Sequence, residues 1–394
     1  MKDRLHLAVV CYPSLGGSGV IAADIAAGLA QRRHRVHVIA SAPPARPLPE
    51  SENLFFHEVR IADYPLFEHP PYGVAVAAAI VDVVRQCRID LVNVHYAVPH
   101  ATSAYLARQV LGADAPRIVA TLHGTDVTRV GVDPAYQSIT AFAVAQADAV
   151  TVPSAYLQRE THRLLHLPHA LPVHVIPNFV DTERFRPPER RERARLRGFF
   201  PAGDADAAVL VHVSNFRPVK RVVDLLEVLA RVRRTLPARL LLIGDGPERG
   251  RAEQRARELG LTEHVCFLGK RPEFADLLRH CDAFLLPSES ESFGVAALEA
   301  LSSGVPVFGY AVGGLPEVVT ADVGTLVPAY DVDALAAAVA EVAGRISLRD
   351  RLGEAARARA VAGFGRDAAL DRYEELFRHL CAAPREPVAG GGTT

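Results

Sequence analysis

The chain passes twice through one pattern of short apolar runs alternating with helix-period segments, and a charged, proline-rich stretch separates the two passes. In the first pass, residues 5–10 read as a strand and 19–31 as a helix whose Ile21, Ile25 and Leu29 share a face. Residues 36–40, 91–95, 118–121 and 149–152 repeat the strand signal, with alanine-rich helical segments between them. Strands that are apolar along their whole length need cover on both faces, which predicts a parallel sheet between layers of helices. The pattern stops near Ile176-Pro177-Asn178, and the Arg/Glu/Pro-rich stretch running to about Asp206 is the expected linker. The second pass places strands at 209–213, 240–243, 265–268, 283–286 and 305–308. Its clearest helix is 222–236, with Leu225, Leu226, Leu229 and Val232 on one face. Helical segments at 331–345, 348–362 and 367–381 follow, and a Pro/Gly tail, 384–394, is expected to be disordered. The expected fold is α/β, with two doubly wound, Rossmann-like domains at 1–180 and 181–366. Such sheets bind ligands beyond the carboxyl ends of their strands, so two in tandem put their sites at a shared cleft.

Composition narrows the function classes. Charged residues make up 23%, Trp is absent and the net charge is -1, a balance that supports neither nucleic-acid nor membrane-surface binding. No apolar run reaches the roughly 18 residues that a membrane span needs. The run over residues 5–11 contains His6 and ends in Tyr12-Pro13, so it reads as a first buried strand and not as a signal peptide. Five cysteines with no Cys-x-x-Cys spacing point to buried thiols in a reducing cytoplasm. A homo-oligomer is compatible with all of this.

The chemistry is concentrated in loops that follow strands. Residues 288–309 carry two carboxylates, Glu291 and Glu299, separated by seven residues, with Phe293-Gly294 opening a helix between them. Free amides and the dipole at that helix start suit a phosphate, while carboxylates on either side can accept hydrogen bonds from sugar hydroxyls. That combination fits a sugar nucleotide. Gly16-Gly17-Ser18-Gly19 lies between the first strand and the first helix, where the backbone can approach a ligand closely. It is neither the dinucleotide Gly-x-Gly-x-x-Gly nor a P-loop. Asn215-Phe216-Arg217-Pro218-Val219-Lys220-Arg221 puts three cations after a strand, a clamp for a diphosphate; cations at a helix start oppose its dipole, which argues for a ligand. His123-Gly124-Thr125-Asp126 and His95-Tyr96 end neighbouring strands, so both histidines should point to one place. Asp204-Ala205-Asp206 and Asp331-Val332-Asp333 have metal-site spacing but sit where turns and caps belong. His162, His166 and His169 lack a completing ligand. No serine elbow, Cys/His nucleophile or kinase signature occurs.

With these residues placed, residues 5–380 resemble the retaining glycosyltransferases of the family-4 type, which have the GT-B fold. The glutamate pair and Gly244-Asp245-Gly246-Pro247 carry the resemblance. Cys11-Tyr12-Pro13-Ser14-Leu15-Gly16-Gly17-Ser18-Gly19, Tyr64-Pro65-Leu66-Phe67-Glu68-His69-Pro70-Pro71-Tyr72, His95-Tyr96-Ala97-Val98-Pro99-His100, Leu122-His123-Gly124-Thr125-Asp126 and Ser214-Asn215-Phe216-Arg217-Pro218-Val219-Lys220-Arg221 resemble those members that transfer GlcNAc from UDP-GlcNAc to the hydroxyl of L-malate, the first step of bacillithiol biosynthesis. The resemblance implies roles residue by residue. Glu299 would hold the ribose and Glu291 the donor sugar, while Phe293, Gly294, Arg217 and Lys220 would stabilise the diphosphate. Gly17 and Gly244 would lie by the donor and His123 beside its sugar; Ser18, Tyr96, Thr121 and Asn215 would form the malate pocket. No metal or other cofactor is implied. The helix at 367–381 would cross back onto the first domain, and residues 177–188 would act as hinge. Ser302-Ser303 departs from the family's usual Met/Ala-Cys pair. The alternatives are another acceptor (an inositol phosphate or a cell-surface glycan), a UDP-sugar epimerase of the same fold, or a silent sugar-nucleotide sensor.

Overall fold

The computed structural model describes residues 4–13, 17–44, 46–61, 68–168, 170–189, 196, 198–200 and 207–384. Seven parallel strands form the first sheet, in the order β3-β2-β1-β4-β5-β6-β7. They are β1 His6–Val10, β2 Arg35–Ala40, β3 Leu54–Glu58, β4 Leu91–His95, β5 Arg117–Thr121, β6 Ala149–Val152 and β7 Val173–Val175. Val92, Val94, Ile118, Ala120 and Val150 face a core shared with the helices Tyr72–Cys87 and Thr102–Leu111. Leu7, Val9, Val36, Val38 and Leu91 face the other way, onto the helix Gly17–Gln31 through Ile21, Ile25 and Leu29. Alternate residues are thus buried on opposite faces, as a sheet covered on both sides requires.

The second sheet has six parallel strands in the order β10-β9-β8-β11-β12-β13. These are β8 Ala208–Ser214, β9 Ala238–Gly244, β10 Val265–Gly269, β11 Ala283–Leu286, β12 Val307–Tyr310 and β13 Gly324–Val327. In each sheet the strand order turns back on itself, at β1/β4 in the first and at β8/β11 in the second. That reversal is where doubly wound sheets open a ligand crevice. The stretch expected to be a linker is not spacer alone: Phe185, Leu196 and Phe200 are buried in the core of the second half. Asp204, Asp206 and the tail from residue 385 lie outside the described residues, as do Ser14, Gly16, residues 64–67 and His169. The fifth strand of the second pass begins two residues later than its apolar run predicts, at Val307, because the Val305 amide is spent on Ala300 O (2.9 Å) and Pro306 has no N–H to give.

The chain changes halves twice, side by side. Val180 pairs with Gly365 in an isolated bridge, and the Val180 amide donates to Phe364 O at 3.1 Å. After that return the final helix, Arg366–Ala382, lies on the first domain. Leu370, Tyr373 and Phe377 enter the core of the Gly17–Gln31 face, and Arg32 bonds Asp371 at 2.6 Å and Glu374 at 3.1 Å.

Candidate active site

In the second half, Lys220 and Glu291 meet. Lys220 ends the short 3-10 turn Pro218–Lys220 after β8, and Glu291 lies in the loop after β11. Lys220 Nζ is 2.5 Å from Glu291 Oε1, which also accepts from Ser288 Oγ at 2.9 Å. The two loops are joined by the Glu289 amide donating to Val219 O at 2.8 Å. Next in sequence, Phe293 is buried against Phe364 and Gly294 caps the helix Val295–Ser302. Among the described residues the amides of Phe293 and Gly294 have no hydrogen-bond acceptor. Those donors, with the open first turn, form a site for negative charge. Glu299 lies on the second turn, buried; removal from water pushes its carboxyl up to about 7, with Arg46 and Arg184 pulling the other way. Gly244 ends β9 at φ 131°, and a Cβ there would lie 1.7 Å from Ser214 O. A glycine is therefore needed for the 244–246 turn to rest on the Ser214–Phe216 backbone.

In the first half a polar chain runs through the sheet. His123 Nε2 is 2.9 Å from His95 Nδ1, and His95 Nε2 is 3.1 Å from Asn93 Oδ1. Asn93 Nδ2 donates to Thr121 Oγ1 at 2.8 Å, and Thr121 Oγ1 is 2.7 Å from Thr151 Oγ1. Burial holds the His123 imidazole down at about 3, and His95 also lies well below its ordinary value for the same reason. Asp126 accepts from the amides of Gly124 (2.8 Å) and His123 (3.1 Å), fixing the turn that carries His123. Tyr96 has φ 85°, uncommon outside glycine, and its amide is held by Thr121 O at 3.0 Å. Its hydroxyl accepts from Ser18 Oγ at 3.3 Å, and its ring packs against Tyr12 and His123. Burial raises the Tyr96 phenol, with Ser18 and the nearby Arg217 cation opposing the shift.

The two halves touch at this place. Ser292 Oγ donates to His123 O at 2.6 Å, and Ser154 Oγ donates to Ser292 O at 2.7 Å. Glu317 accepts from the amides of Ala155 (2.9 Å) and Tyr156 (2.7 Å), capping a first-half helix from the second half. Gly17, at the start of the first helix, faces Val295, at the start of the other. Gly124 has φ 117°, and a Cβ on it would lie 2.6 Å from the Ser292 Cβ, so this close approach excludes a side chain there.

Of the residues singled out from sequence, Gly17, Ser18, Tyr96, His123, Arg217, Lys220, Glu291, Phe293 and Gly294 gather along this seam. Gly244 lies against the Ser214–Phe216 backbone, and Asn215 is exposed on that loop. Thr121 is 3% exposed, and its hydroxyl is shared between Asn93 and Thr151 within the sheet. Arg221 does not join the cation clamp. Its left-handed backbone (φ 49°) turns it to Asp224, at 2.8 Å, and over the Tyr330 ring. Asp331 caps a helix by accepting from Ala334 N at 2.9 Å, as a cap reading of that Asp-x-Asp predicts. His162 and His166 line an open surface groove with Gln158 and Arg159. Sequence reasoning assigned no role to Asn93, Asp126, Ser154, Ser292 or Glu317. Asp126 carried a signal, since an aspartate three residues after a strand-ending histidine can cap the turn. The others carried none.

Comparison with known proteins gives the family. The family model described as Glycosyltransferase Family 4 matches residues 15–184, and that described as Glycosyl transferases group 1 matches residues 199–359. The chain is 38% identical over 375 residues to N-acetyl-alpha-D-glucosaminyl L-malate synthase of Bacillus anthracis, covering 95% of this chain and 97% of that one. It is 33% identical over 311 residues to GDP-mannose-dependent alpha-(1-6)-phosphatidylinositol monomannoside mannosyltransferase of Mycolicibacterium smegmatis, covering 76% of each. Among solved structures, sucrose-phosphate synthase from Thermosynechococcus elongatus superposes with a TM-score of 0.81 at 23% identity, over 97% of this chain and 100% of that one.

Proposed function

The chain belongs to glycosyltransferase family 4 and has the GT-B fold, and we propose that it moves N-acetylglucosamine from UDP-GlcNAc to the hydroxyl of L-malate with retention, as in the first step of bacillithiol biosynthesis. The observation that carries the reading is the seam itself. One loop holds Glu291 on Lys220, opens a helix start with Phe293 and Gly294, and bonds the histidine turn of the other half through Ser292. A sugar diphosphate laid across that seam would set its β-phosphate against Arg217, Lys220 and the two amides. The same placement brings the sugar hydroxyls to Glu291 and His123, and the ribose to Glu299.

In the proposed reaction the bond from the sugar C1 to the β-phosphate oxygen breaks while a bond from the malate hydroxyl oxygen to C1 forms on the same face. The malate hydroxyl proton passes to the departing phosphate oxygen. Negative charge grows on that phosphate, and preorganised cations and amides are the groups that stabilise it. The fixed cations supply that stabilisation, so activity should survive a chelator. Ser18, Tyr96 and Asn215 are the proposed contacts for malate. Ser18 bonds Tyr96, whose ring packs on Tyr12, itself stacked on Tyr72, and an aromatic cluster of this kind beside the two hydroxyls would suit a small acceptor. The wider span of the match to the malate synthase than to the mannosyltransferase, 95% of this chain against 76%, favours this acceptor over a lipid-linked one. None of the five cysteines forms a disulfide, which supports a reducing compartment such as the cytoplasm. Among the described residues, no helix is long and apolar enough to cross a membrane.

Mass spectrometry of products from UDP-GlcNAc decides the matter, run with L-malate, with D-inositol 3-phosphate and with no acceptor. A GlcNAc-malate adduct formed only when malate is present is the expected result. Turnover without any acceptor would point to an epimerase, and an inositol product would replace malate as acceptor.

A further inference from the structure

We propose that Asn93, buried within the first sheet, is a positioning residue that fixes His95 and, through it, His123 in a single tautomer. His123 then meets a ligand as a hydrogen-bond acceptor, through a bare Nδ1. A backbone carbonyl sets the direction of every hydrogen bond in this polar chain. A backbone carbonyl only accepts, and Asn93 Nδ2 lies 3.2 Å from Val119 O and 2.8 Å from Thr121 Oγ1. The amide's donor end is therefore fixed on that side, and its oxygen faces His95. An amide oxygen also only accepts, so His95 Nε2, 3.1 Å away, carries the proton.

His95 is fully buried, and its titratable neighbours are His123 and His100, neither of which can supply a negative charge. The imidazole is therefore neutral and its Nδ1 is bare. The 2.9 Å contact from His95 Nδ1 to His123 Nε2 is a hydrogen bond only if His123 donates. Burial keeps His123 neutral as well, which leaves its Nδ1 without a proton. Among the described residues that nitrogen has no partner, and it is not among the side-chain atoms sealed from solvent. Asp126 and Ser292 hold the backbone on either side of the residue, and the His95 and Tyr96 rings pack against the imidazole itself.

The consequence is selective. A hydroxyl can donate to the bare Nδ1, whereas a phosphate or carboxylate oxygen would set lone pair against lone pair. His123 therefore reads a hydroxyl of the sugar or of the acceptor, and not the anionic ends of either substrate. That the hydroxyl belongs to a donor sugar or to malate rests on the function proposed above; the tautomer does not.

The test uses the full-length protein labelled with 15N-histidine and a long-range proton–nitrogen correlation spectrum, with His123 assigned by its loss in His123→Asn. The expected spectrum shows His95 and His123 each protonated at Nε2 and bare at Nδ1, unchanged from roughly pH 6 to 8. Asn93→Asp places a carboxylate beside His95. It should protonate His95 on both nitrogens, invert His123 to the Nδ1–H form, and lower kcat/KM by about tenfold or more. UDP affinity should stay unchanged. A wild-type His123 protonated at Nδ1, or exchanging between tautomers, overturns the proposal, as does an Asn93→Asp spectrum with the wild-type pattern. If that variant does not fold, the wild-type spectrum decides alone. The expected spectrum in a protein inactive toward UDP-GlcNAc would leave the tautomer standing and remove the proposed function.

Discussion

Replacing Lys220 with alanine tests the leaving-group assignment most directly. At 2.5 Å from Glu291 Oε1, the ammonium feels a gross attraction on the order of 7 kcal/mol at an effective dielectric of about 20. Desolvation of both side chains, only 22% and 10% exposed, offsets most of that. Ser288 still holds the carboxylate when Lys220 is gone, so the expected stability loss is about 1–3 kcal/mol, visible as a drop of a few degrees in Tm. The catalytic loss should exceed it in its own terms. One preorganised cation aimed at the departing phosphate contributes about 3 kcal/mol in the transition state, so kcat should fall by roughly 10²-fold or more. Initial rates of UDP release with UDP-GlcNAc and L-malate, beside calorimetric UDP binding, separate the two effects. Because Lys220 and Glu291 share one bond, Glu291→Gln should cost a similar factor, and the double variant little more than the worse single. Near-wild-type turnover by a folded Lys220→Ala enzyme would refute the reasoning.

Glu299 should make donor binding depend on pH. An unfolded chain ionises this group near 4.5 and the folded chain near 7, so in that window the folded state holds the extra proton and Glu299's contribution to stability falls as pH rises. Ribose hydroxyls donate best to the ionised form, so UDP-GlcNAc should bind more tightly as pH rises through about 7, and Glu299→Gln should flatten the profile; a flat wild-type profile by calorimetry sinks the ribose role. Gly244→Ala would force a Cβ to 1.7 Å from Ser214 O, and should cost roughly 3 kcal/mol in denaturant unfolding; an unchanged midpoint would show that the turn can move freely. Ser292→Ala removes the 2.6 Å bond to His123 O and should raise the donor KM roughly fivefold, for about 1 kcal/mol of lost closure, with kcat less affected. An unaltered KM would mean that this bond does not contribute to the bound state.

The architecture was legible because its strands are apolar on both faces, a signal that survives without knowledge of neighbours. What escaped were three edge strands, Leu54–Glu58, Val173–Val175 and Gly324–Val327: they are only partly buried, and His57-Glu58, His174 and Gly324-Thr325 interrupt the apolar runs that mark the inner strands. Phe185 looked like part of a linker because its neighbours are charged and proline-rich, yet one buried ring is enough to dock a segment on a core. The site divides in the same way. Residues in one loop, such as Glu291, Phe293 and Gly294, declare themselves by spacing. A pair made by two loops 71 residues apart, Lys220 with Glu291, exists only once strands β8 and β11 lie side by side. Asn93 was invisible, since a lone polar residue in a strand carries no spacing, and its meaning depends on Val119 in register on the next strand and on His95 two residues along its own.

The seam between the halves is built from contacts weak enough to open. Among the described residues, its hydrogen bonds run from Ser292 to His123 O, from Ser154 to Ser292 O, and from two helix amides to Glu317, beside close approaches at Gly17 to Val295 and Gly124 to Ser292. Each such hydrogen bond exchanges with water on opening and contributes about 0.5–1.5 kcal/mol net, so together they hold the closed form by only a few kcal/mol. With donor and acceptor bound across the seam as proposed, a stronger seam would trap product. Ser292 also sits between Glu291 and Phe293, inside the loop that would grip the diphosphate. If the donor binds here as proposed, ordering this loop would order the seam with it, and closure is expected to follow donor binding.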